Sequence, residues 1–222
     1  MNIPNIVSEF IKLIKNNDVV AIGTSDLENN FLNELIKQLI IIKKDVYFVP
    51  TTTMQAKTLH DLSQKTISLT DREIDVAIEF IDQIDQYFNF IKRRTKSFIR
   101  DKMISQSALN LVVVTDKYNL VPEIDADVYL EISTFAWQRT ILNLQSYGFA
   151  RVVLDSADNF VKTEIGHYLA RVTLDKNISL DDFEYSVRNI PGVLETGVFI
   201  GTADTIFIIE DKGEVKIKTR EK

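Results

Sequence analysis

Apolar positions along the chain follow two rhythms, and their alternation predicts the fold. Behind Pro4, Ile6, Phe10, Ile11 and Ile14 recur at helical spacing, and Asn16 and Asn17 end the run. Asp18–Gly23 (DVVAIG) is a continuous apolar run of strand length. Gly23, Thr24 and Ser25 make a turn, and Asp26 is placed to cap a helix with the stripe Leu27, Phe31, Leu35 and Leu39. A second strand, Asp45–Val49, stops at Pro50, after which Thr51, Thr52 and Thr53 open a helix carrying Ala56, Leu59 and Leu62. Ile67–Leu69 and Val76–Ile81 read as strands, Phe98–Leu109 as a helix, and Asn110–Thr115 as a strand buried on both faces of a parallel sheet. Beyond Pro122 the rhythm shortens. A strand at Val128–Ile132, a helix at Thr134–Gln145, strands at Arg151–Leu154 and Phe160–Glu164 and a helix at Leu180–Ile190 precede a hairpin around Lys212 and Gly213.

Strands alternating with helices in the first half predict an α/β class, a Rossmann-like open sheet. The strand-helix-strand-strand-helix series after it predicts a smaller ferredoxin-like α+β domain. The expected division is residues 1–124 with 193–222 for the larger domain and 125–192 for the smaller one. The sequence shows no repeat, low-complexity tract or long linker.

Composition narrows the function. The 222 residues, 45% hydrophobic and 26% charged, suffice for a proper core. A net charge of −6 argues against nucleic acid, which wants a basic face. No apolar stretch has the length of a membrane span, and no basic segment precedes the first apolar residues, so a cytoplasmic protein is expected, away from any membrane. The absence of cysteine excludes disulfides and thiolate chemistry, and two histidines, His60 and His167, exclude a histidine-rich metal site.

The candidate chemistry lies in EFIDQIDQYFNFIKRRTKSFIRDK, Glu79 to Lys102. A strand end releases carboxylates at Glu79, Asp82 and Asp85, then Lys92, then Asp101, and open α/β sheets place their chemistry outside the carboxyl ends of strands. Asp101 falls in the first turn of a helix, where the dipole keeps a carboxylate ionised. The Gly23-Thr24-Ser25 turn between strand and helix offers backbone N–H groups to an anion, although the further glycines of a dinucleotide fingerprint are missing.

This spacing resembles that of type A ribose-5-phosphate isomerases. That family carries Asp-Gly-Ala-Asp-Glu-x-Asp, then Asn-Leu-Ile-Lys, three glycines and Arg-Glu-Lys. Without a gap, its acids meet Glu79, Asp82 and Asp85, its lysine meets Lys92, and its Arg-Glu-Lys meets Arg100, Asp101 and Lys102. Glu79 and Asp101 exchange the family's Asp and Glu, and Arg93, Arg94 and Thr95 stand where it has glycines. Of its Gly-x-Gly-Thr-Gly-Ser-Thr turn, Gly23 and Thr24 remain, and its later Asp-x-Ser-Lys reads Asp116, Lys117, Tyr118, Asn119. IPGVLETGVF at Ile190–Phe199 resembles the family's Ile-Pro-Gly-Val-x-x-x-Gly-Leu-Phe, so the likeness spans nearly the whole chain.

The resemblance implies interconversion of ribose 5-phosphate and ribulose 5-phosphate through an enediolate, in the non-oxidative branch of the pentose phosphate pathway, with no metal or cofactor. Asp101 is then the base, Lys92 supports the oxyanion and ring opening, and Asp82 and Glu79 relay protons. Gly23, Thr24, Ser25, Thr51, Thr52 and Lys117 are the implied substrate and phosphate contacts, and a homodimer or homotetramer is expected; Arg93 and Arg94 either block the backbone approach that glycines allow or supply the phosphate clamp that the degraded Gly23 turn has lost. The lost glycines and the altered base raise an alternative, a non-catalytic or re-purposed sugar-phosphate-binding paralogue.

Overall fold

The structure, a computed structural model, describes residues 2–220. Its elements in chain order are α1 (Ile3–Phe10), β1 (Val19–Ile22), α2 (Glu28–Ile41), β2 (Tyr47–Val49), α3 (Thr53–Asp61), β3 (Lys65–Thr66), β4 (Val76–Phe80), β5 (Gln83–Ile84), β6 (Phe90–Ile91) and α4 (Phe98–Ser107). There follow β7 (Leu111–Asp116), β8 (Val128–Ile132), α5 (Trp137–Leu144), β9 (Gly148–Val152), β10 (Tyr168–Leu174), α6 (Leu180–Val187), β11 (Val193–Thr196), β12 (Val198–Phe199), β13 (Thr205–Ile209) and β14 (Val215–Thr219).

A seven-stranded sheet in the order β14-β13-β7-β4-β1-β2-β3 forms the centre, parallel except for the edge strand β14. β1, β4 as far as Ile78 and β7 as far as Val114 are continuously apolar because both faces are covered. Ile6, Phe10, Phe31, Leu35 and Leu59 from α1, α2 and α3 pack with Ile22, Ile78 and Val112 on one face. On the other, Ala21, Ala77 and Val113 meet Ile104 of α4 and Ile84, Phe90 and Phe199 of the small β12-β6-β5 sheet. After β1 the chain builds outward through β2 and β3, then returns to place β4 on the other side of β1. The strand order therefore reverses between β1 and β4, the crevice where open sheets hold their ligands.

The second layer system is antiparallel. β8, α5, β9, β10, α6 and β11 follow one another as β-α-β-β-α-β, with sheet order β11-β8-β10-β9, and α5 and α6 close its core through Ile141, Leu144, Phe183 and Val187. β11 hydrogen-bonds to β8, after which Gly197 leads into β12, which pairs with β6, and the chain rejoins the large sheet at β13. Among the described residues no helix is long and apolar enough to cross a membrane.

Three local expectations change. Ile67–Leu69 is not a strand: β3 ends at Thr66, and Ser68 turns the chain by donating its N–H to the Asp71 carboxylate at 2.8 Å. Phe160–Glu164 makes only single bridges, to Leu154 and Tyr168, and the strand there is β10, whose Arg171 and Thr173 interrupt the apolar run. Asp26 does not cap α2, whose N-cap Leu27 has no side-chain bond; in the turn before it Ser25 accepts from Leu27 N–H and Glu28 reaches back to Ser25 N–H.

Candidate active site

Glu79 is the fourth residue of β4, on the α4 side of the sheet with Ala77. The parallel register pairs Ile22 with Ile78, and Gly23 N–H donates to the Ile78 carbonyl at 2.8 Å, which seats the Gly23 turn against the Glu79 side chain. Only glycine fits: a Cβ at position 23 would lie 1.9 Å from Glu79 Oε2. The chain then makes the β5–β6 hairpin, closed by Asp85, whose carboxylate accepts from the N–H groups of Tyr87 and Asn89, so Asp85 builds the turn. Lys92 follows β6 and points back beneath Glu79, and α4 begins at Phe98 with Ser97 as its cap, leaving Asp101 in the first turn.

Glu79, Lys92 and Asp101 meet with no surface exposed to solvent. The Lys92 ammonium donates to Glu79 Oε2 at 2.5 Å, Asp101 Oδ2 at 2.7 Å and the Thr24 carbonyl at 2.9 Å. Burial alone would push this ammonium down, but the charges of Asp101 and Glu79 outweigh it and hold Lys92 above its ordinary value. The carboxylates differ. Asp101 accepts from Thr24 N–H at 2.9 Å, the Thr95 hydroxyl at 2.7 Å and the Thr24 hydroxyl at 3.1 Å, besides Lys92. Glu79 receives only Lys92, and its Oε1 is buried with no partner. Burial pushes the Glu79 carboxyl up to about 8, with Lys92 opposing and Asp101 adding to the rise.

That shift links stability to pH. The folded chain keeps a proton on Glu79 between about pH 4.5 and 8 that the unfolded chain releases, so the group's contribution is complete below pH 4.5 and is lost as pH rises through 8. Glu79→Gln removes this dependence. Thermal unfolding should show the variant close to wild type at pH 5 and at least ~10 °C more stable at pH 9, since a shift from 4.5 to about 8 is worth on the order of 5 kcal/mol and a chain of this size moves roughly 2–4 °C per kcal/mol. A gap that does not widen with pH would refute the assignment.

α4 is held from both sides so that Asp101 faces inward. Arg100 pairs with Glu164 and donates to the Thr51 carbonyl at 3.0 Å. Lys102 crosses to α6, donating to Glu184 at 2.8 Å and lying 4.6 Å from the Phe199 ring centroid. Beneath the helix start, the buried Glu131 of β8 accepts from the Ser97 hydroxyl at 3.0 Å, Ile99 N–H at 3.3 Å and the Thr163 hydroxyl at 2.9 Å. The smaller unit thus fixes the helix that presents Asp101.

The other expected residues divide. Thr24 and Gly23 line the trio. Ser25 lies in the same turn, but its N–H donates to Glu28 Oε2 at 2.7 Å. Thr52 donates to Glu28 Oε1 at 2.8 Å and caps α3 through Gln55 N–H at 3.1 Å, while Thr51 donates to the Ile22 carbonyl at 2.6 Å. Asp82 does not touch the trio; it accepts from Arg93 N–H at 2.6 Å and pairs with the Arg93 guanidinium at 3.1 Å. Arg94 lies at the surface 3.6 Å from Asp26. Lys117 is apart from this group, paired with Asp211 and, at 3.7 Å, with Glu210 beside the β13–β14 turn.

Three residues here escaped the sequence reading. Thr95 fastens the Arg93–Ser97 segment to Asp101 and Thr24, and Glu131 anchors α4. Glu28, the third, is buried, and desolvation raises its pKa. Ser-x-x-Glu ahead of an apolar run was its available signal.

A profile of the family described as ribose 5-phosphate isomerase A (phosphoriboisomerase A) matches residues 47–213. Ribose-5-phosphate isomerase A of Methanothermobacter thermautotrophicus is 28% identical over 203 residues, covering 90% of each chain. Among solved structures, ribose 5-phosphate isomerase A of Methanocaldococcus jannaschii superposes with a TM-score of 0.87 at 23% identity, covering 98% of both chains. A D-ribose-5-phosphate isomerase in complex with phospho-erythronic acid superposes with a TM-score of 0.88 at 25% identity, covering 98% of this chain and 97% of the other.

Proposed function

The chain belongs to the ribose 5-phosphate isomerase A family, and from that membership we propose that it interconverts ribose 5-phosphate and ribulose 5-phosphate through an enediolate held around Lys92. The observation that carries the reading is an ammonium clamped between two buried carboxylates at the reversal of strand order. Aldose–ketose isomerisation needs a carboxylate to move a proton between adjacent carbons and a fixed positive charge for the oxygen that turns anionic. The trio supplies both. Lys92 is pre-oriented by three acceptors, so little reorganisation accompanies charge development. The relative solved with phospho-erythronic acid, a sugar-acid phosphate, supports a substrate of the same class here. The alternative of a non-catalytic paralogue has less support, since an acid, a lysine and a second acid all remain.

None of the three side chains is exposed, and Thr95 of the Arg93–Ser97 segment bonds to Asp101, so on this reading the sugar's entry opens that packing. Its phosphate end is drawn to the Gly23–Ser25 turn and the Thr52 hydroxyl, where Glu28 now sits. Glu28→Gln keeps an oxygen for Ser25 N–H and removes the charge that opposes a phosphate dianion. The expected result is a KM for ribose 5-phosphate lowered about tenfold, the effect of ~1.4 kcal/mol, with kcat within twofold. An unchanged KM would place the phosphate elsewhere.

A role in the pentose phosphate pathway, a cytoplasmic location and a homodimeric or homotetrameric state belong to the same proposal, and sedimentation of the purified protein tests the last. The central test is conversion of ribose 5-phosphate by the purified protein. Turnover in wild type that disappears in Lys92→Met supports the reading. No turnover under any condition overturns it.

A further inference from the structure

We infer that Lys96 is a substrate-binding residue of this site: its ammonium takes the charge of the sugar's phosphate in the place where the Glu28 carboxylate now sits. This role rests on the isomerase reading and deepens it, since it names the cation by which the site selects a phosphorylated sugar.

The Glu28 carboxylate marks the place. It is buried, with Oε2 on the Ser25 N–H at 2.7 Å and Oε1 on the Thr52 hydroxyl at 2.8 Å. The two donors follow the carboxyl ends of β1 and β2, neighbouring parallel strands, where open sheets gather anions. A carboxylate on this pair of donors stands where a phosphate would, and a phosphate dianion needs a cation that the turn itself lacks. Most cations nearby are committed. Lys92 spends its ammonium on Glu79, Asp101 and the Thr24 carbonyl, Arg100 pairs with Glu164, and Arg93 pairs with Asp82. Arg94 stands at the surface beside Asp26, whose charge cancels much of its own. Of the cations within residues 92–96, Lys96 is the one with no ion pair among the described residues.

Its position suits the task. The Lys96 N–H donates to the Thr24 hydroxyl at 2.8 Å, and its carbonyl accepts from Glu164 N–H at 2.8 Å. The backbone is thus pinned against the Gly23–Ser25 turn while the side chain is exposed. A pinned backbone with a flexible stem lets the ammonium follow an anion into the turn. Its charge is already felt there. Burial raises the Glu28 carboxyl, and the bonds from Ser25 and Thr52 and then the Lys96 charge oppose the rise, while Asp101 adds to it. A dianion in the same place faces Lys96 with more charge and draws it more strongly. Glu28 and the phosphate therefore compete for one cation as well as for one pair of donors. Part of the benefit of removing the Glu28 charge passes through Lys96.

The experiment measures kcat and KM for ribose 5-phosphate at low and at physiological ionic strength in wild type, Lys96→Arg, Lys96→Met and Arg94→Met. Binding of ribose 5-phosphate is followed by calorimetry in parallel. If wild type does not turn over, the isomerase reading falls, and calorimetry alone then decides on Lys96. Lys96→Met should raise KM and the calorimetric Kd at least ~10-fold at low ionic strength, with kcat within about threefold and the melting temperature within ~2 °C, as befits an exposed side chain. Lys96→Arg keeps the charge and should stay within about threefold of wild type, and Arg94→Met should do the same. Salt should weaken binding in wild type more than in Lys96→Met, because the variant has lost the pair that salt screens. The gain expected of Glu28→Gln should shrink from about tenfold to about threefold in the Lys96→Met background, a coupling between neighbours. A KM and Kd that stay within about threefold of wild type in Lys96→Met overturn the inference. So does an equal or larger loss in Arg94→Met, which gives the phosphate's charge to Arg94. A fall in kcat with both constants unchanged also overturns it, and leaves Lys96 as a holder of the entry segment only.

Discussion

Replacing Lys92 by methionine should lower kcat for ribose 5-phosphate at least ~10³-fold and the melting temperature by roughly 10 °C. The two effects have one origin. Lys92 is fully buried and every hydrogen of its ammonium is committed, to Glu79, to Asp101 and to the Thr24 carbonyl. Methionine fills much of the same volume without the charge, so packing survives and the electrostatics do not. Two carboxylates then share a site without a cation, and breaking a buried pair in this way costs about 3–5 kcal/mol. At 2–4 °C per kcal/mol this gives the expected melting shift. Removing one pre-oriented donor to a developing oxyanion costs about 10²–10³ in rate, and here the only buried cation of the trio goes as well. Because Glu79 holds a proton readily, the variant should be less destabilised at pH 6 than at pH 9. Turnover above a tenth of wild type would remove the trio from the chemistry; a stable but inactive variant would separate its two roles.

The trio was legible because its spacing is local. Glu79, Lys92 and Asp101 lie within 23 residues, and strand, hairpin and helix start each have a period or punctuation mark that fixes where a side chain points. The central strands of the large sheet were legible for a similar reason: VVAI, VAIEF and LVVVTD are apolar runs of strand length. What could not be read was the use of side chains across sequence distance. Glu28 was not singled out, and only the approach of Thr52, from the next strand-helix junction, shows its carboxylate filling the turn offered to an anion. Glu131 is a charge inside the apolar run VYLEI, an anomaly whose meaning lies in Ser97 and Thr163, more than thirty residues away on either side. Arg93 and Arg94 looked like free phosphate donors by composition, whereas Asp82 and Asp26 already engage them. β10 was missed because Arg171 and Thr173 give its apolar pattern the look of a loop.

Gly23→Ala should lower kcat/KM for ribose 5-phosphate at least ~10²-fold, although nothing at position 23 takes part in the reaction. Backbone conformation is not the reason, since Gly23 needs no left-handed φ. The reason is space. An alanine Cβ would lie 1.9 to 2.2 Å from three atoms of the Glu79 carboxyl group, and one side must yield. The backbone at 23 is held by its N–H bond to Ile78 and by the β1–β4 register, so the carboxyl moves. A displacement near 1 Å at a reacting group costs on the order of a hundredfold. Lys92 follows Glu79, and through Lys92 the Asp101 contact loosens as well. This chain of contacts can be tested by a double-mutant cycle, since Glu79→Asp shortens the side chain by one methylene and withdraws it from the added methyl. If contact with Glu79 is the whole effect, Gly23→Ala should cost far less in the Glu79→Asp background than in wild type, a coupling of 1 kcal/mol or more. Additive losses would mean that Gly23 serves the turn in some other way, and that the close approach of turn and carboxyl does not set the geometry of the site.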